Sequence, residues 1–182
     1  SRQKDVDARW TKKNNETRYG YKNHVNADEQ NKLIQAYAVS DAAVHDSQVF
    51  DELLDHTRGD DGEKRPVYAD SAYRSQEREA VLKETGIRSE ICEKGSRNHP
   101  LTEAQAQSNR KKSQIRVRVE HVFGAQAQMD GHRVRTIGLK RATVKIGMLN
   151  LVYNIKRLMQ LLKRDGKRLF QINDGISAPV VA

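Results

Sequence analysis

The run Pro66-Val67-Tyr68-Ala69 is apolar, four residues long, and stops abruptly on Asp70-Ser71. So short a run between polar neighbours reads as a buried strand that delivers a carboxylate at its carboxyl end. A buried strand needs partners along its edges and packed layers over its faces. The surrounding segments supply both. Residues 17–25 alternate, with Tyr19, Tyr21, Asn23 and Val25 on one side and Gly20, Lys22 and His24 on the other, which predicts a strand. Residues 33–40 predict a second, joined to it as a hairpin through the polar turn Asn26–Asn31. Asp46 is placed to cap a helix in which Val49, Phe50, Leu53 and Leu54 recur at helical spacing, and Arg58–Gly62 reads as a flexible loop. Ser75–Thr85 predicts a helix ended by Gly86, and Ile87–Cys92 another strand. The expected class is α/β, with a mixed sheet and flanking helices.

Residues 94–112, with Pro100 and many polar side chains, read as a loop with at most a short helix after Thr102. From Ser113 the period is helical: Ile115, Val119, Val122 and Phe123 form one stripe, and Arg116 and Glu120 lie on another face. A long helix is expected from Ala142 to Lys163. Its Val144, Met148, Leu151, Val152, Ile155, Leu158, Met159 and Leu162 repeat at three and four residues and are expected to dock it on the core. Residues 1–164 are thus expected to form one domain, and 165–182 a flexible tail.

Charge narrows the range of partners. The chain carries +9 overall, yet residues 1–93 hold 15 basic and 19 acidic side chains, whereas residues 94–168 hold 18 basic and four acidic, a net of +14. The acidic four are Glu103, Glu120, Asp130 and Asp165. So basic a block suits a polyanion such as nucleic acid, the alternative being a solvated surface. No apolar run approaches the roughly 18 residues of a membrane span, and the polar opening Ser1–Asp5 does not read as a signal peptide. With Cys92 the one cysteine, an internal disulfide and a thiolate metal cluster are excluded, and a reducing, cytosolic setting is expected.

Two carboxylates stand out. Asp70 ends an apolar strand, where a carboxylate is costly unless a metal or partner satisfies it, and Glu120 projects from a helix in the basic block. Carboxylates on a strand end and a helix can converge on Mg²⁺, which prefers oxygen ligands, and two such ions about 4 Å apart suit phosphodiester chemistry. The plainer roles are a helix cap or turn residue for Asp70 and an i,i+4 ion pair with Arg116 for Glu120. His24, His45 and His121 share no zinc-ligand spacing. Trp10 and Tyr73 are candidates for stacking on bases.

Several motifs, in order, carry a family resemblance: Trp10-Thr11-Lys12-Lys13, Tyr19-Gly20-Tyr21-Lys22-Asn23-His24, Ser40-Asp41-Ala42 with His45-Asp46-Ser47, Ala69-Asp70-Ser71-Ala72-Tyr73-Arg74, and Arg116-Val117-Arg118-Val119-Glu120-His121-Val122-Phe123-Gly124. Together, to about Leu162, they resemble bacterial insertion-sequence transposases of the DDE class, in the group named after insertion sequence five. The resemblance implies an RNase H-like core in which two aspartates and a glutamate bind two Mg²⁺, with Mn²⁺ as an alternative ion, and drive DNA cleavage and strand transfer. Asp70 matches the second aspartate and Glu120 the glutamate. Of the family's Tyr-x2-Arg-x3-Glu-x6-Lys pattern, Arg116 and Glu120 are kept, while Ser113 and Ala127 stand for the tyrosine and lysine.

The resemblance also implies a first strand, carrying the first aspartate, upstream of the segment at 9–25. Asp5 and Asp7 lie in a polar lead-in that does not read as a strand, so that strand is expected to be missing. Its absence would leave the hairpin and the Asp70 strand without their shared neighbour. Asp41 and Asp46 are poor stand-ins, because metal sites tolerate little geometric error. The implied partner is double-stranded DNA, both transposon ends and target, held by Arg110, Lys111, Lys112, Arg116, Arg118, Arg133, Arg135, Lys140 and Arg141. A homo-oligomer in the complete protein, and a bacterial cytoplasmic location on the nucleoid, are implied with it. The alternatives are a catalytically inactive fragment that binds DNA or the full-length enzyme, and the product of a decayed reading frame.

Overall fold

The computed structural model describes residues 4–13, 15–54, 66–97, 99–131, 133–165 and 179–181. The chain begins with three antiparallel strands, β1 (Arg9–Lys13), β2 (Glu16–Asp28) and β3 (Ile34–Asp41). β2 runs three residues past the predicted strand, because Asn26 and Ala27 are buried and the Asn26 side chain donates through Nδ2 to the Leu53 carbonyl at 2.8 Å. The turn therefore falls later, where the Asp28 carboxylate accepts from the Gln30 amide at 2.7 Å and Lys32 takes φ 58°.

A 3₁₀ turn (Asp46–Gln48) leads into the single-turn α1 (Phe50–Leu53). The predicted cap is corrected here: His45, not Asp46, accepts from the Ser47 amide. β4 (Pro66–Ala69) coincides with the predicted strand and pairs in parallel with β5 (Arg88–Ile91) across α2 (Gln76–Glu84). Ser75 caps α2 by accepting from the Arg78 amide at 3.2 Å, and Gly86 follows at φ 75°. The predicted loop Arg58–Gly62 lies outside the described residues.

α3 spans Glu103–Gln128, so its start at Ser113 is also corrected. A capping box launches it early: Gln105 N–H donates to the Thr102 hydroxyl at 3.3 Å, and the Gln105 side chain accepts from the Thr102 amide at 2.9 Å. The added turns are polar and largely exposed, so no apolar stripe marks them. α4 spans Leu139–Asp165. The last described segment, β6 (Pro179–Val181), lies within the stretch expected to be a flexible tail, yet it pairs as a strand.

β6 lies between the two halves of the sheet, antiparallel to β2 at Asn26–Asp28 and parallel to β4 at Tyr68. The edge expected to be open between the hairpin and β4 is thus occupied, which corrects that expectation. One face of the sheet packs Phe50, Leu53, Val67, Ala69, Leu82 and Ile91 with α1 and α2. On the other face, Val25, Ala27 and Tyr68 meet Val119 and Val122 of α3 and Tyr153 of α4. A side-chain network locks this second layer: Asn150 Oδ1 accepts from Asn23 at 2.8 Å and from Gln126 at 2.7 Å.

α4 docks by a face other than the predicted one. Its buried residues are Ala142, Ile146, Asn150, Tyr153 and Leu161, whereas every member of the predicted stripe is exposed. Polar anchors hold the inner face: Asn154 exchanges hydrogen bonds with both backbone groups of Ile34, Tyr153 donates to the Lys32 carbonyl at 2.7 Å, and Arg157 donates to the Asn31 carbonyl at 2.7 Å.

The polar lead-in also has a structural task. Asp7 accepts from the Leu139 amide at 2.9 Å and Asp5 from the Gly138 amide at 3.2 Å, so the two carboxylates satisfy the first amides of α4 from far away in sequence. Gly138 sits at φ 90°, a conformation that disfavours any side chain. Partial desolvation works to raise the Asp5 carboxyl, but hydrogen bonds from Tyr21 and from the Gly138, Asp7 and Ala8 amides outweigh it and leave the group below its ordinary 3.8. Burial and the Asp5 carboxylate push the Tyr21 hydroxyl up to about 12. Asp7→Ala is expected to cost about 1 kcal/mol in urea unfolding. A group with a depressed folded pKa stabilises above its unfolded value and loses that contribution as pH falls. Asp5→Asn should therefore flatten the decline of stability below pH 3.8, read from unfolding midpoints against pH.

Candidate active site

Asp70 follows β4 directly and starts a 3₁₀ turn, Ser71–Tyr73, accepting from the Ser71 amide at 2.7 Å. It therefore caps this turn and not α2, and its side chain is exposed. Its face of the sheet follows from alternation: Val67 and Ala69 join the α1–α2 layer and Tyr68 the α3 layer, which sets Asp70 on the α3 side. Glu120 stands on α3 between Val119 and the buried Val122, which turn that stretch of helix toward Tyr68. The Arg116–Glu120 ion pair is present at 3.7 Å, with Glu120 57% exposed.

α3 meets β4 through Val119, Val122 and Tyr68, and just beyond that strand lies Tyr73. Its hydroxyl is pushed well up by burial and by the Asp46 and Asp70 carboxylates, against the opposing pull of Arg116 and Arg78. One buried hydroxyl thus senses carboxylates at the end of β4 and after β3, and a guanidinium one helical turn from Glu120. Arg116 Nε is buried with no hydrogen-bond partner, so the cation beside Glu120 retains unused donor capacity. Arg78 closes the floor, donating to the Tyr73 and Ser47 carbonyls and lying 4.8 Å from the Phe50 ring centre.

Beside this lies a group that sequence reading missed. His24, 2% exposed, is 2.8 Å from the Ser40 hydroxyl through Nε2 and 3.6 Å from Asp46 through Nδ1, and Lys22 is 3.3 Å from Asp46. The order Ser–His–Asp is that of a nucleophile, base and orienter, but the ring is buried and ties β2 and β3 to the turn after them. Its signal was present in the motifs Tyr19–His24 and Ser40–Ser47. Asp41 accepts from the Ala43 amide at 2.8 Å, so neither it nor Asp46 is an uncommitted ligand. Among the described residues, no three His, Cys, Asp or Glu side chains gather as a metal-binding group. The exposed oxygens of Asp70 and Glu120 fit Mg²⁺ as donors, two where such a centre needs more.

The basic candidates divide. Arg110, Lys111, Arg133, Arg135, Lys140 and Arg141 are exposed. Lys112 is turned inward onto the Ile91 carbonyl at 3.2 Å and Glu90 at 3.6 Å, and Arg118 donates to the Glu29 carbonyl at 2.8 Å. Tyr73 is buried and cannot stack on a base, whereas Trp10 is 65% exposed and lies 4.9 Å from the Tyr19 ring.

The site thus joins an acidic residue at the end of β4 to a helix, α3, that carries Arg110, Lys111, Lys112, Arg116 and Arg118. The family described as Transposase DDE domain matches residues 2–155, and this chain belongs to it. A curated relative, the transposase for insertion sequence element IS1106 of Neisseria meningitidis serogroup B, is 37% identical over 121 residues, 66% of this chain and 40% of that protein. The chain therefore spans less than half the length of this relative. No solved structure matches the chain.

Burial holds His24 below its ordinary 6.5, against the pull of Asp46. A folded pKa below the unfolded one gives stability that is present above the unfolded value and lost as pH falls toward the folded one. Unfolding free energy should therefore fall as the solution is taken below pH 6.5, and His24→Gln should remove that dependence. A slope unchanged in the variant would assign the titration elsewhere.

Proposed function

We propose that this chain is the catalytic portion of an insertion-sequence transposase with an RNase H-like core spanning residues 1–164, in which Asp70 and Glu120 hold Mg²⁺ for DNA strand cleavage and strand transfer. The observation that carries the reading is the packing of the α3 stretch that bears Glu120, through Val119 and Val122, on Tyr68 of the strand that ends in Asp70. Bound metal would supply the Lewis acid at the scissile phosphate. The chain's own residues do the rest. β4 and its 3₁₀ turn hold Asp70, the buried side of α3 sets Glu120, and Arg116 is placed to balance anionic charge. Arg110, Lys111, Arg133, Arg135, Lys140 and Arg141 track the phosphate backbone, and Arg118 joins them with the donors that the Glu29 carbonyl leaves free. Lys112 contributes less because it is committed to the fold.

A third carboxylate is needed, and we assign it to a strand in the position of β6. Parallel pairing of Tyr68 with Val180 means that a strand there, carried further, runs beside β4 toward Asp70. In the complete transposase, Asp70→Ala should abolish Mg²⁺-dependent cleavage, a loss of at least about a thousandfold, while DNA affinity in a gel-shift titration changes little. Undiminished cleavage by that variant would sink the assignment.

A second reading has its own support, since among the described residues no three candidate metal-binding side chains gather and the chain spans 40% of the relative's length. On that reading the chain binds DNA, or the full-length enzyme, without cutting. For the 182-residue chain itself we expect DNA binding that weakens steeply with salt, is indifferent to Mg²⁺, and yields no nicked product. Binding that survives high salt unchanged would remove the phosphate-tracking role of the basic residues.

A further inference from the structure

We propose that the ribbon formed by β1 and the start of β2 carries a stacking site for an unpaired DNA base, with Trp10 as the platform and Lys12 beside it for the adjoining phosphate. The inference rests on the reading above that this chain holds DNA. β2 pairs with β3 only from Tyr21 onward, so its first residues, Glu16–Gly20, have β1 as their one strand partner among the described residues. The ribbon thus reaches past the rest of the sheet. Register sets Trp10 opposite Tyr19, with ring centres 4.9 Å apart and planes tilted by 47°. Cross-strand aromatic pairs hold such ribbons together, but that task leaves the indole uncovered: Trp10 is 65% exposed and belongs to neither core cluster.

The chemistry around the rings selects the ligand. Lys12 lies two residues along β1, about 7 Å from Trp10 on the same face, and is exposed. Glu16, the ribbon's one acidic residue, is on the opposite face in a 2.7 Å ion pair with Arg18. Tyr19 donates to the Asp5 carbonyl at 2.6 Å, and the Asp5 and Asp7 carboxylates accept from the Gly138 and Leu139 amides. Those bonds bring the start of α4, with exposed Lys140 and Arg141, to the ribbon's side and occupy the two nearby carboxylates.

An aromatic face among cations suits a nucleic-acid strand, whose bases stack while its phosphates meet the basic side chains. In a duplex each base is covered above and below by its neighbours, and only an unpaired base offers a free face to the indole. Alternation along β2 puts Tyr19 on the side of Asn23 and Val25, the side that α3 covers. A strand stacked on Trp10 therefore lies on the same side of the sheet as Asp70.

Trp10 is the one tryptophan in the chain, so its emission reports this site alone. The 182-residue chain is titrated at low salt with a blunt duplex and with the same duplex carrying a single-stranded thymidine extension, while the anisotropy of a dye on the DNA follows binding. Both should bind, and the extended duplex alone should quench Trp10. Trp10→Ala should weaken binding of the extended duplex by about five- to a hundredfold and leave the blunt duplex unchanged, and Trp10→Phe should restore most of the difference. The quenching is read on the unsubstituted chain, so the test stands even if alanine loosens the ribbon. Equal affinity for both DNAs with Trp10 unquenched overturns the stacking site and leaves the DNA reading standing. Quenching by the blunt duplex to the same depth overturns the choice of an unpaired base, and failure to bind either DNA overturns both readings.

Discussion

A three-residue strand bridges two half-sheets of opposite character. β2 pairs antiparallel with β1 and β3, β4 pairs in parallel with β5, and among the described residues β6 is the strand that hydrogen-bonds to both halves. Backbone amides and carbonyls facing each other across an unfilled slot would be buried without partners, which folded chains avoid. The bridge is short against the 13 residues of β2, so hydrogen bonding alone is a thin connection. α3 reinforces it from above: Val119 and Val122 pack in one cluster with Val25 from the antiparallel half and Tyr68 from the parallel half. Strand and helix together set the end of β4 relative to the hairpin, and everything at the site inherits that relation.

The site divides its labour by burial. Tyr73 and His24 are buried, and burial favours the neutral form of each. They act as rigid, uncharged spacers between charged neighbours. Asp70 and Glu120 are exposed, where carboxylates stay hydrated and open to incoming cations. Arg116 lies between the two regimes, its Nε buried and unpaired and its Nη2 on Glu120. A guanidinium in that position steadies a helix whose acidic residue otherwise sits in a strongly positive neighbourhood.

What was legible in the sequence depended on whether the cause was local. The apolar run at 66–69 and the Ser75 cap produce their elements from adjacent residues, and both appear at or near the expected limits. The stripe of Val119 and Val122 was readable because one side of α3 is buried along it. The start of α3 was missed because its first turns are stabilised by a capping box and by solvated polar groups, which leave no hydrophobic period. Asp5 and Asp7 read as a polar lead-in without a task because their partners, Gly138 and Leu139, lie more than 130 residues further along the chain. Asp70 and Glu120 could be singled out by chemistry and motif, but the docking of α3 on β4 through Val119, Val122 and Tyr68 is a product of packing.

The misassigned face of α4 shows what periodicity measures. An apolar stripe records that one side of a helix avoids water, and says nothing of what covers it. On α4 the sheet is met by Asn150, Tyr153, Asn154 and Arg157, whose polar atoms reach backbone and amide groups of β2, the β2–β3 turn and the first residue of β3. Those contacts depend on direction and therefore fix the rotation of the helix, whereas an apolar stripe tolerates sliding. Once polar groups have settled which side faces inward, the regular four-three spacing on the other side loses any purpose within the fold. Among the described residues that stripe stays exposed.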